Sequence, residues 1–145
     1  MNGPALEDWR LEIRAWLEHN LPAWWEEEFA ATPFEIPERC FDDSREWQRR
    51  LFEAGYMGVT WPEEYGGRGF SPMHELVRTE ELVRAQAPPI ANQIGLKLCA
   101  PALLEYGTET QKQRFLRKIL SAEEIWCQGY SEPGAGSDLA GLQTR

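Results

Sequence analysis

The residues with most chemical promise are Ser131-Glu132-Pro133-Gly134-Ala135-Gly136-Ser137-Asp138, close to the carboxyl end of a 145-residue chain. Gly134 and Gly136 lack a Cβ, so the backbone there is free to take positive φ and to lie against a ligand. The amides of Ala135, Gly136 and Ser137 are then expected to form a concave nest for an anion. The Ser137 hydroxyl adds a donor and Pro133 fixes φ ahead of the turn. A pyrophosphate suits such a nest, and Glu132 should point away from it. An isolated Gly-x-Gly is more often a plain chain reversal, so the flanking residues must decide.

Other chemistries fail on spacing. The third glycine of a dinucleotide fingerprint would fall on Leu139, and the step from Gly136 to Gly141 is followed by Leu142 rather than the lysine of a P-loop. His19 and His74 are the only histidines, and neither sits in a nucleophile or zinc motif. Cys40, Cys99 and Cys127 are three in number and widely spaced, which points to reduced thiols rather than a disulfide framework or a zinc site. The acidic run Glu26-Glu27-Glu28 has no neighbouring histidine, and its carboxylates would diverge around a helix. No metal site is expected. A net charge of -9 disfavours a nucleic-acid surface.

The octapeptide resembles the signature of the acyl-CoA dehydrogenase family, in which a Ser or Thr and a Glu are followed after two residues by Gly-Ser-Asp. Three further segments resemble the family in the same order: Gly58-Val59-Thr60-Trp61-Pro62-Glu63-Glu64-Tyr65-Gly66-Gly67, Tyr106-Gly107-Thr108-Glu109-Thr110-Gln111-Lys112, and Trp126-Cys127-Gln128-Gly129-Tyr130. The likeness implies the all-α N-terminal helical domain over residues 1–125, with 126–145 starting a β-domain through a short strand and glycine loop. It implies an FAD enzyme that oxidises an acyl-CoA to the 2,3-enoyl-CoA, with electron-transfer flavoprotein as acceptor and a dimer or tetramer as the assembled form.

Position by position, the likeness puts Gln128, Tyr130 and Ser131 at the isoalloxazine and Gly136 and Ser137 at the FAD pyrophosphate. Asp138 would neighbour the pantetheine, although it would equally cap a turn through Leu139, Ala140 and Leu142. For the acyl pocket the candidates are Asn92, Gln93, Gly95, Leu96 and Leu98, a set that an ordinary buried helix would also show. The α-proton acceptor of the family comes from a C-terminal bundle, so no catalytic residue is expected here; Glu63, Glu80 and Glu132 match no family position for it. A fragment alone would be inactive. An acyl-CoA oxidase, a flavin monooxygenase or a non-catalytic helical interaction module are the competing readings.

The elements that must position these residues follow from periodicity. Leu6, Trp9, Ile13, Trp16 and Leu17 predict a helix after Pro4 ending near Asn20. Residues 21–41 read as irregular, with aromatic anchors. A second helix is predicted from Asp43 or Ser44 to Gly55. A third opens at Ser71-Pro72, with Met73, Leu76, Val77 and Val83 inward and Glu80 paired to Arg84. A fourth is predicted from Ile90 to Gly107 with a kink at Pro101, and a fifth opens on the Thr108/Gln111 capping box with Phe115, Leu116, Ile119 and Leu120 on one face. A strand is predicted over 125–130. With 27% charged residues and a mean hydropathy of -0.55, no membrane span or secretory signal is visible, which suggests the cytoplasm.

Overall fold

The computed structural model describes residues 3–29, 36–129 and 131–143. Helix α1 spans Leu6–Asn20 and carries Glu7 and Asp8 in its first turn, where carboxylates meet the positive end of the helix. Trp9, Ile13 and Leu17, four residues apart, form its buried stripe. Its bounds are those the periodicity predicts.

The stretch expected to be irregular contains a further helix, α2, at Ala23–Phe29. Seven residues are too few to display a period, and Pro22 reads as a breaker although proline is well tolerated at a helix start. Trp25 anchors the segment: it is buried, and its indole Nε1 donates to Gln86 O at 2.7 Å.

Helix α3, Phe41–Glu53, follows a 3-10 turn at Glu38–Cys40 and buries Ser44, Trp47, Gln48 and Leu51. Gly55 ends it with φ +80, where an amide beyond the helix, Tyr56 N, still reaches Leu51 O at 2.8 Å. The long loop that follows is not a loose one. Tyr56, Met57 and Val59 are buried in it.

Helix α4, Pro72–Arg84, starts at the predicted proline, but the Ser71 hydroxyl bonds His74 Nδ1 at 2.8 Å and not a backbone amide. Its inward face is also different from the expected one. His74, Val77 and Glu81 are buried, whereas Met73, Leu76 and Val83 are 50%, 49% and 72% exposed. Periodicity alone allowed either face, and α1 decides between them by supplying Trp9, whose Nε1 donates to His74 O at 3.0 Å, and two arginines.

The predicted fourth helix is a π-turn at Gly95–Cys99 running into α5 at Ala100–Tyr106. A proline ring clashes with the carbonyl four residues back, and the widened turn immediately before Pro101 gives that ring room. Helix α6, Glu109–Leu120, has both halves of the predicted capping box, with Gln111 N donating to Thr108 Oγ1 at 3.3 Å and Thr108 N to Gln111 Oε1 at 2.8 Å.

Two apolar clusters hold the helices together. One joins α1, α3 and α4 through Trp9, Ile13, Leu17, Trp47, Leu51 and Val77; the other joins α5 and α6 through Ala100, Leu116 and Ile119. Trp61 and Leu96 pack against both and make them continuous. The helical class is as expected; the strand is not. No strand forms among the described residues, because 125–129 finds no neighbouring strand to complete a ladder.

Candidate functional site

The glycine loop closes on itself. Glu132 N donates to Ala135 O at 2.8 Å and Ala135 N to Glu132 O at 3.1 Å, an isolated antiparallel bridge. The Ala135 amide is thereby consumed, which corrects the expected nest of three to the amides of Gly136 and Ser137. Neither Gly134 nor Gly136 has positive φ, so the backbone conformation does not itself require glycine at either position. Space does not require it within this chain either: a Cβ on Gly134 would meet nothing within 4 Å, and one on Gly136 only Ser131 Oγ at 3.8 Å.

Ser131, Gly136, Ser137 and Asp138 are all exposed. Asp138 Oδ1 accepts from Ala140 N at 3.1 Å and its carbonyl from Gly141 N at 3.3 Å, so it caps the 3-10 turn Leu139–Gly141. Glu132 Oε2 accepts from Gln143 N at 2.8 Å and ties the end of the loop to its start. The structure thus brings Ser131 beside Gly136, with Ser137 exposed next in the chain and Gln128 exposed on the lead-in. Tyr130 lies outside the described residues. Two hydroxyls and two loop amides, bare of side chains at both glycines, form a donor set that fits a phosphate or the polar edge of a ring.

The helix candidates differ in exposure: Leu96 is half-buried and Leu98 exposed. Gln93 is half-buried. Gly95 is buried at the start of the π-turn, and a Cβ there would lie 2.5 Å from Asn92 Oδ1, so its glycine is demanded by an internal neighbour. Asn92, named with them for the acyl pocket, is fully buried and has its bonds inside the fold. Its Nδ2 donates to Ile119 O at 3.1 Å and Glu124 O at 2.9 Å, its Oδ1 accepts from Trp126 N at 3.0 Å, and its own amide donates to Gln48 Oε1 at 2.9 Å. Gln48 Nε2 completes the cluster on Ile119 O and Leu120 O, both at 3.0 Å. An Asn three residues before a Gly in a helical pattern was the available signal for this network.

The buried carboxylate on α4 is Glu81, not Glu80. Arg14 donates to both of its oxygens at 2.8 and 2.9 Å, Arg84 Nε to Oε2 at 2.7 Å and Arg10 Nη1 to Oε1 at 2.9 Å. Glu80 instead takes Arg10 Nη2 at 2.6 Å on the surface. The bonds from Arg14 hold the Glu81 carboxyl at about 2, against the opposing effect of its burial. A carboxylate so held is a poor proton acceptor, and its role is to join α1 to α4.

A shallow, open apolar depression of about 330 Å³ lies beside α5, the start of α6 and the lead-in, lined by Cys99, Ala102, Leu103, Tyr106, Gln111 and Trp126. A second open groove, of about 750 Å³, runs along Phe52, Gly66, Arg68, Phe70 and Arg117. Among the described residues, no group of three His, Cys, Asp or Glu is placed to hold a metal ion, and no helix is long and apolar enough to cross a membrane.

The chain is similar to known proteins in sequence and in fold. Residues 5–123 match the family described as acyl-CoA dehydrogenase, N-terminal domain. The chain is 46% identical over 143 residues to acyl-CoA dehydrogenase IpdE1 of Mycobacterium tuberculosis, covering 96% of this chain and 36% of that protein. It is 34% identical over 106 residues to mitochondrial isovaleryl-CoA dehydrogenase of Pongo abelii, covering 72% and 25%. Among solved structures, the Tcur3481-Tcur3483 steroid ACAD superposes with a TM-score of 0.70 at 38% identity, covering 99% of this chain and 36% of that one. The ChsE4-ChsE5 complex from Mycobacterium tuberculosis superposes with a TM-score of 0.69 at 33% identity, covering 99% and 34%. The chain therefore spans between a quarter and just over a third of the length of these relatives. Proteins of this kind are generally flavoproteins. The family model covers the whole helical body and the relatives' likeness extends over nearly the whole chain, so the chain belongs to the acyl-CoA dehydrogenase family.

Proposed function

We propose that this chain supplies one wall of an FAD-dependent acyl-CoA dehydrogenase that converts an acyl-CoA to its 2,3-enoyl-CoA. The observation that carries the reading is the loop whose glycines face open space beside the exposed Ser131, Gly136 and Ser137, in a chain of this family. Bound FAD supplies the hydride-accepting ring. The Gly136 and Ser137 groups hold its pyrophosphate, the Ser131 hydroxyl sits at the polar edge of the ring, and Gln128 and Tyr130 border it. Asp138 neighbours the pantetheine from its turn-capping position. Gln93 faces the acyl group, and Gly95 shapes that wall through its contact with Asn92.

Residues 126–145 begin the β-domain in this reading, and residues outside the chain provide the proton acceptor. A bulky ring-bearing acyl group is the favoured substrate class, since one of the similar solved structures is named a steroid ACAD and an open apolar depression of about 330 Å³ adjoins the lead-in at Trp126. Electron-transfer flavoprotein is the proposed acceptor, a multimer the assembled state and the cytoplasm its location. The ChsE4-ChsE5 complex is a multimeric precedent.

The test is spectroscopic. The full-length protein should purify with flavin absorbance at about 450 nm. Ser137→Ala removes a hydrogen bond to a charged group and should weaken FAD retention about ten- to hundredfold. A colourless parent, or a variant that keeps its flavin as firmly as the parent, would refute the assignment.

A further inference from the structure

The Trp126 lead-in has the composition of a strand but, among the described residues, no strand beside it; one side chain takes the neighbour's place. Asn92 presents an amide N–H to Glu124 O and an amide oxygen to Trp126 N, the two groups that a residue on a parallel neighbouring strand would engage on either side of Ile125. The orientation of the carboxamide is fixed by its partners, since two carbonyls demand the nitrogen and one amide demands the oxygen. We propose that Asn92 is a positioning residue, a one-residue substitute for a β-neighbour that sets the direction in which the chain leaves α6 and so places Gln128 and Ser131. The cofactor half of this inference rests on the FAD reading above.

Three features make Asn92 suited to the task. It is fully buried, so no water competes for its bonds. It is itself held, because its backbone amide donates to Gln48 Oε1 while Gln48 Nε2 grips the last carbonyls of α6 at Ile119 and Leu120. The side chain also spans three elements in one step, from the approach to the π-turn, to the end of α6 through Ile119 O, to the lead-in. Gly95 belongs to the same device. Any Cβ there would press on the carboxamide, at 2.5 Å from Oδ1 and 2.7 Å from Nδ2. Trp126, aligned by this bond, packs edge-on against Phe115 of α6 with ring centroids 5.2 Å apart. Gln128 follows two residues on.

Two variants and one double-variant control test the idea. Asn92→Leu keeps the volume and removes every side-chain bond; since it also strips a buried polar cluster, Gly95→Ala is the second variant, leaving Asn92 in place but displacing its carboxamide. In the chain itself, amide exchange at Trp126 should accelerate at least about tenfold in either variant, beyond any change at Leu51 or Leu116. In an Asn92→Ala background, Gly95→Ala should add no further acceleration at Trp126, because the group it displaces is gone. In the full-length protein loaded with FAD, the same variants should alter the visible circular dichroism of the flavin and release it faster. Exchange that rises equally in the helices and at Trp126 would overturn the positioning role. So would a selective rise at Trp126 with flavin dichroism and release identical to the parent. A parent that binds no FAD would instead remove the cofactor half together with the functional reading, while the exchange result would still decide whether Asn92 holds the segment.

Discussion

In the helical body a side chain on Gly58 would strike Leu120 at 2.8 Å and one on Gly95 would strike Asn92 at 2.5 Å, whereas in the loop Gly134 has nothing within 4 Å and Gly136 only a serine hydroxyl at 3.8 Å. The body uses glycine because its own parts crowd together. The loop uses it without any internal reason, in conformations that other residues also adopt. The two regions differ in the same sense in their polar groups. Asn92, Gln48 and Glu81 are buried and bonded inside the body, while Ser131, Ser137 and Gln128 are exposed. A region whose sequence is explained by its own contacts serves stability, and one whose sequence is not so explained is the place to look for a partner.

The sharpest way to break this comparison is to damage each region and measure stability. Trp9→Ala empties a site that is fully buried, touches Tyr56 and Phe70 and donates to His74 O. It should cost about 3–5 kcal/mol, read as a fall in the urea midpoint. A loss below about 1 kcal/mol would mean that the α1–α4 seam is not the core of the body.

Glu81→Gln should cost about 1–3 kcal/mol at neutral pH, less than a fully desolvated pair because its arginines are partly exposed. The sign of the pH dependence follows from the depressed carboxyl, which titrates at about 2 in the fold. An unfolded glutamate titrates at roughly 4.3. Stabilisation by the cluster is therefore complete above that value and is lost as pH falls toward 2. Urea titrations at a series of pH values should show a decline in the parent over that window that is shallower in Glu81→Gln. Identical slopes would remove Glu81 from the account.

Thr108→Ala should cost about 1 kcal/mol through the lost cap of α6. At the smallest end, Gly134→Ala should change stability by less than about 0.5 kcal/mol. A large loss in this loop variant would show that the loop belongs to the folding unit after all, and the comparison would collapse.

Much of the body was legible because its signals are local. The stripe Trp9, Ile13 and Leu17, the proline at position 72 and the Thr108/Gln111 box each specify an element within a few residues, and the helices formed where they indicate. Helix α2 was missed because two turns give no period, and because its anchor, Trp25, finds its partner at Gln86. The face of α4 was misread since Met73, Leu76 and Val83 are apolar by type. What turns them outward is the pull of Trp9, Arg10 and Arg14 on His74 and Glu81 from a helix more than sixty residues away. A neighbouring set of the right residues, two arginines four apart on one helix and a Glu seven residues after a His on another, was present but is read as a pair only once the helices touch.

The sequence by itself determined the helical class, the family and the residues of the glycine loop, because caps, periods and a contiguous motif act over short distances along the chain. Only the tertiary structure decided which carboxylate is buried, that the Ala135 amide is spent within the loop, and that Asn92 stands where a strand would. Each of these depends on which groups meet across the fold, and hydrogen bonds and ion pairs form only over distances that folding creates.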